Sequence, residues 1–236
     1  DLNVTGHAVS NGRLEMLKWI RSQDPPCPWN ADIAKTTAKE GHLEALKFVR
    51  SQEPPCDWNA LTCSNAAEYG HLDVLKWART QHPPCPWDES VCAYAAQRGR
   101  IQMLKWLRAQ NPPCPWNEWA CGWAARKGLL ETLKWLRAQN PPCPWSEKVC
   151  VSAAEEGRLE VLMWLRAQDP PCPWDEEVNI KAIEKSQPKL LRWVSKQADH
   201  PPFSERTAAA LAKAGMPTDD NNIDKYLRHN GLPGAI

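Results

Sequence analysis

The sequence predicts an all-α solenoid of about eight stacked helix pairs with little or no β-strand, and three recurring features predict it. Side chains that favour a helix N-cap return every 29 residues, at Asp1, Asn30, Asn59, Asp88, Asn117, Ser146, Asp175 and Ser204. Glycine stands eleven residues after the cap in seven of the eight units, at Gly12, Gly41, Gly70, Gly99, Gly128, Gly157 and Gly215, with Ser186 as the exception. A double proline follows the second apolar run of each of the first six units, as at Pro112 and Pro113. The boundaries follow: one repeat solenoid over 1–236, with units starting at 1, 30, 59, 88, 117, 146, 175 and 204.

The unit from Asp88 to Trp116, DESVCAYAAQRGRIQMLKWLRAQNPPCPW, justifies each element. Asp88 can accept from the free amides of a first helix, and Glu89 complements the helix dipole. Cys92, Ala95 and Ala96 give that helix a small-residue face that lets a neighbour approach closely. Gly99 ends it in the left-handed conformation that side chains resist. Ile101, Leu104 and Leu107 recur at helical spacing, so a second helix follows, with Trp106 widening its apolar stripe. Pro112 and Pro113 remove amide donors and bar helical continuation, which makes the Pro-Pro-Cys-Pro-Trp segment an extended connector to the next cap.

The runs AAQRGRIQMLKWL (Ala95 to Leu107) and AAEYGHLDVLKW (Ala66 to Trp77) resemble the two-helix body of the ankyrin repeat, and the resemblance extends over the whole chain. It is nearest to the tryptophan-rich ankyrin-like arrays of algae and other protists. The Thr-Pro-Leu-His opening of that family is absent, and the period is 29 rather than 33, which leaves little room for the usual β-hairpin finger. The resemblance implies a protein-binding array whose first helices line a concave groove. Towards the C-terminus the pattern degenerates: Ser186 replaces glycine, Pro188 a leucine and Phe203 the connector tryptophan, so 175–236 reads as a cap. No equivalent cap opens the chain. Its first edge is expected to be exposed, covered by further sequence or covered by a partner. At helix spacings of about 8 to 10 Å, eight units would extend roughly 70 to 80 Å.

Composition narrows the function. Lysine and arginine number 29 against 28 aspartate and glutamate, a balance that argues against a general nucleic-acid binder. No apolar run approaches the ~18 residues of a membrane span, and no signal peptide is visible. The chain opens on a cap position without an initiator methionine, which suggests a processed protein or part of a longer one. The expectation is a soluble protein of a reducing compartment, the cytosol or an organelle such as the plastid after removal of a targeting peptide.

Of ten cysteines, six sit in connectors and four in first helices, Cys63, Cys92, Cys121 and Cys150, with no C-x-x-C pair. Thr5, Ala34, Asn179 and Ala208 occupy the helix position elsewhere, so cysteine there reads as a small buried filler, reduced and free of metal. His42 and His71 fill a position that Arg13, Arg100 and Arg158 take in other units, which points to a structural role. Twelve of fourteen tryptophans recur in register, six in second helices and six ending connectors, and are expected to form an aromatic ladder.

Trp119 and Trp123 stand outside that register. They lie four residues apart on one first helix, hence on one face. Tyr94 holds the second of these positions one unit earlier. Together with flanking Arg98, Arg126 and Lys127 they have the composition of an interface hot spot and are the candidate partner-binding residues. Second helices also carry a basic row, Lys18 and Arg21 through Lys134 and Arg137, then Arg166 and Arg192. It reads as a solvated outer face, with peripheral contact to a membrane or another anionic surface as the functional alternative. No phosphate-binding loop, metal triad or nucleophile-base order appears, so neither catalysis nor a cofactor is implied. The reading is a non-enzymatic protein-protein interaction scaffold. The alternative is a structural linker subunit built permanently into a large assembly, with a plastid photosynthetic membrane complex as one setting.

Overall fold

The computed structural model describes residues 2–26, 29–201 and 204–215, and among these the chain is entirely helical, without strands. It forms two compact units, Asp1–Trp116 and Asn117–Ile236. The first holds α1 (Leu2–Ser10), α2 (Leu14–Arg21), α3 (Ala31–Glu40), α4 (Leu43–Arg50), α5 (Ala60–Tyr69), α6 (Leu72–Thr80), α7 (Glu89–Gln97) and α8 (Ile101–Arg108). The second holds α9 (Glu118–Lys127), α10 (Leu130–Arg137), α11 (Glu147–Glu155), α12 (Leu159–Arg166), α13 (Glu177–Glu184), α14 (Pro188–Val194) and α15 (Glu205–Lys213). In each unit successive first helices pack side by side, α1 on α3 on α5 on α7 and α9 on α11 on α13 on α15, while each second helix folds back on its own first helix. This is a helical-repeat solenoid in which, within each unit, every layer contacts its neighbours.

Local chemistry sets the helix ends. Asn30, Asn59, Asp88 and Asn117 each accept the backbone N–H two residues on at 3.0 Å, and Ser204 does so at 3.1 Å. Asp175 accepts from Glu177 in the same way. Ser146 makes no cap bond, and Asp1 lies outside the described residues. Gly41 closes α3 at φ +74°, and a Cβ there would collide with the His71 imidazole. That imidazole lies 2.9 Å from the Lys39 carbonyl, so the histidine closes the end of the preceding first helix rather than binding a metal. Ser186 adopts the same left-handed turn at φ +51°: the backbone plan survives the loss of glycine.

Two cores run through each layer. Alanines such as Ala66, Ala67, Ala95 and Ala96 are fully buried between first helices, while Leu75, Leu104, Leu133 and Leu162 fill the space beneath the second helices. The connectors differ from the extended segment expected. The connectors of the second to sixth repeats each enter through a cis peptide, as at His82–Pro83, and a bend, and only then run extended to the next cap. Among the described residues no helix is long and apolar enough to cross a membrane. The part of the predicted C-terminal cap beyond Gly215, together with Cys27 and Phe203, lies outside the described residues.

Candidate functional site

The connectors are locked from three sides, as the third repeat shows. The Cys85 amide donates to the Ala78 carbonyl at 3.0 Å, and the Cys85 carbonyl accepts from Arg79 Nη1 at 2.5 Å. The Arg79 guanidinium also lies 3.9 Å from the centroid of the Trp87 ring. Trp87 in turn packs edge-on against Trp106 of the next repeat at 6.3 Å. Arg50 with Trp58, Arg108 with Trp116, Arg137 with Trp145 and Arg166 with Trp174 repeat the stack. The aromatic ladder therefore links neighbouring repeats within each unit, with Trp29–Phe48, Trp58–Trp77, Trp145–Trp164 and Trp174–Trp193 as further rungs.

The basic row of the second helices takes part in this arrangement. Five of its arginines, Arg50, Arg79, Arg108, Arg137 and Arg166, fold over the connectors, because a planar guanidinium can donate to a carbonyl and cover an indole at once. Lys18, Lys47 and Lys134 each pair at 2.7 Å with the acid three residues earlier, Glu15, Glu44 and Glu131. Lys76 and Lys105 are exposed on the same row.

The thiols make a second network that sequence reasoning missed. Cys63 approaches the connector cysteine 22 residues downstream: its Sγ lies 3.9 Å from the Cys85 carbonyl, and Cys85 Sγ lies 3.5 Å from the Asn59 carbonyl. Cys92 with Cys114, Cys121 with Cys143 and Cys150 with Cys172 repeat the pairing. The nine described cysteines are free and buried. Hydrogen bonding to the partner thiol, reinforced by burial, holds Cys63, Cys114, Cys121 and Cys150 far above the ordinary thiol range, and burial pushes Cys56 up to about 11. Suppressed thiolates are poor nucleophiles and poor metal ligands, so the pairs act as packing and hydrogen-bonding elements. The available signal was in the seventh repeat, where Asn179 and Pro201 replace both cysteines at once.

On α9 the Asn117 cap fixes the first turn and sets Trp119 one helical turn before Trp123. Their rings stack nearly parallel, 6.3 Å apart at 10°. Trp119 is 50% exposed, while Trp123 is half-buried. Arg126 and Lys127 are exposed at the end of the helix. Arg126 reaches into the next repeat, to Glu156 at 3.1 Å and Glu155 at 3.5 Å, and that hydrogen bond holds the Glu156 carboxyl below its ordinary value. At the position equivalent to Trp119 one repeat on stands Lys148, 71% exposed and 3.2 Å from Glu118.

Tyr94 and Arg98 belong to the first compact unit. Tyr94 is half-buried on α7. Arg98 pairs with Glu68 at 2.6 Å and lies 5.9 Å from the centroid of Tyr69, whose ring also has Lys39 over it at 5.3 Å. Both flanking arginines are thus tied to carboxylates of a neighbouring repeat. An open groove of about 380 Å³ near Gly70, Gly99 and Arg100 brings no nucleophile and base together. Among the described residues no cluster of three His, Cys, Asp or Glu is placed to hold a metal ion.

Compared with known proteins, the chain matches no family model and no curated protein. Fold and surface define its class: a helical-repeat protein with a tryptophan pair displayed on one first helix.

Proposed function

We propose that the chain is a non-enzymatic interaction scaffold that binds a protein partner on the first-helix face carrying Trp119 and Trp123. The observation that carries this reading is the half-exposed parallel stack of those two rings on α9. Neither ring belongs to the ladder of connector and second-helix aromatics, and large rigid aromatics displayed outside the packing scheme are what partner hot spots are made of. Arg126 and Lys127 contribute charge at the end of the same helix, whereas Tyr94 and Arg98 stand on α7 of the other compact unit. The ankyrin-like pattern from Ala66 to Trp77 supports the same reading.

The test compares the full chain with its Trp119→Ala, Trp123→Ala double variant in co-purification from the native source, followed by titration of the recovered partner. Loss of about 2 kcal/mol of binding is expected, roughly thirtyfold in affinity, with Tm little changed. Recovery of the same partner at the same affinity would refute the assignment.

A further inference from the structure

Repeats three to six each bury two thiols where the fold needs one. In the second repeat the connector closes with a single cysteine: the Cys56 amide donates to the Val49 carbonyl at 3.0 Å, the Cys56 carbonyl accepts from Arg50, and Ala34 holds the first-helix position. The third repeat makes the same two bonds, from the Cys85 amide to Ala78 and from Arg79 to the Cys85 carbonyl, with Cys63 added on the first helix. The added thiol is therefore not required to seat the connector. It is set against the other one: Cys63 Sγ lies 3.9 Å from the Cys85 carbonyl oxygen and is hydrogen-bonded to the Cys85 thiol. The same approach recurs at 3.8, 4.0 and 3.9 Å in the next three repeats. All eight residues are buried, 1% exposed or less.

We propose that the pairs Cys63–Cys85, Cys92–Cys114, Cys121–Cys143 and Cys150–Cys172 are redox staples, each converted by a small-molecule disulfide into a disulfide that ties the connector to its own first helix. One thiolate attacks the small disulfide, whose S–S bond breaks, and a small thiolate leaves; the paired thiolate then attacks the protein sulfur of the mixed disulfide and releases the second. Each pair gives up two protons and two electrons, and the small disulfide ends as two thiols. Burial holds the protons on the closed pairs, so exchange begins when a connector swings off its helix and ends with the connector fastened. The bond closes a loop between residues 22 apart, which disfavours reopening by restricting the unfolded chain. In the seventh repeat Asn179 and Pro201 replace both cysteines, so the device is confined to the four repeats before it. It lies between first helices and connectors and does not depend on the Trp119 face.

The test incubates the full chain with excess oxidised glutathione at about pH 8.5 without denaturant. Remaining thiols are then blocked with N-ethylmaleimide under denaturing conditions, and the linked peptides are mapped by mass spectrometry without reduction. Four disulfides joining residues 22 apart are expected, with Cys56 alkylated. The Tm should rise by about 5 °C or more and fall back when the bonds are reduced. A parallel sample oxidised in denaturant sets the contrast: there the shorter loops between cysteines seven apart, such as Cys56 with Cys63 and Cys85 with Cys92, should close first. Cys63→Ala, for which Ala34 is the precedent in the second repeat, should remove the Cys63–Cys85 bond alone and leave Cys85 alkylated. Thiols that stay unlinked, mixed disulfides that go no further, or linkage of cysteines seven apart in the folded chain would overturn the proposal. So would the expected pairing with Tm unchanged or lowered, since such a bond does not fasten the connector.

Discussion

The third repeat and the seventh follow the same backbone plan with different chemistry. In the third, the Cys63 thiol and Arg79 guanidinium both point at the Cys85 carbonyl, Gly70 makes the left-handed turn, and Leu72 opens the second helix. In the seventh, the Asn179 amide donates to the Pro201 carbonyl at 3.2 Å, Ser186 makes the turn, and Pro188 opens the helix. Asp199, standing where earlier repeats have a proline, pairs with Arg166, and its carbonyl accepts from Trp174 Nε1 at 3.0 Å. What persists is a pattern of satisfied carbonyls and turn angles. Residue identity can change wherever another donor reaches the same acceptor.

That comparison can be broken most severely by pH. A thiol whose folded pKa is raised stabilises the fold fully below the unfolded value, near 9, and this contribution is lost as pH rises towards the folded pKa. Stability should therefore fall between pH 9 and 11 by about 1.4 kcal/mol per pH unit for each such thiol. The loss should be concentrated in the thiol-bearing repeats, with the seventh repeat spared at first. Denaturant unfolding and amide exchange across that range check it; a flat profile would mean that the thiol pairs are not buried as described.

Next in size, Trp87→Ala removes a rung of the ladder and the support of Arg79 together, and should cost about 3 kcal/mol in chemical denaturation. A cost below ~1 kcal/mol would reduce the ladder to surface decoration. Two substitutions should move the seventh repeat towards the third. Asn179→Cys removes a buried amide oxygen that has no hydrogen-bond partner, and should raise stability by about 1–2 kcal/mol. Ser186→Gly relieves the left-handed φ and should add about 1 kcal/mol, read as a shift of the denaturation midpoint at unchanged slope. If either destabilises, the seventh repeat has its own packing solution and the shared plan does not extend to it.

The candidate site was legible only in part. Trp119 and Trp123 stood out because they break the 29-residue register, and four-residue spacing on a helix already placed them on one face. Nothing local showed that Arg98 would pair with Glu68, or Arg126 with Glu155 and Glu156. Those partners lie about one repeat away, where layer stacking decides which side chains meet.

By itself the sequence determined the helices, their caps, the glycine turns and the 29-residue layer, because each depends on hydrogen bonds and torsions within a few residues. Tertiary structure alone decided which partners meet. Cys63 lies seven residues after Cys56 but pairs with Cys85, 22 residues downstream, because the connector folds back over its own first helix. Arg79 turns from an apparently solvent-facing row onto Trp87, because the connector folds back and carries its Cys85 carbonyl and the indole within reach of one guanidinium. Spacing along the chain sets local geometry; the return path of the chain sets contacts between segments.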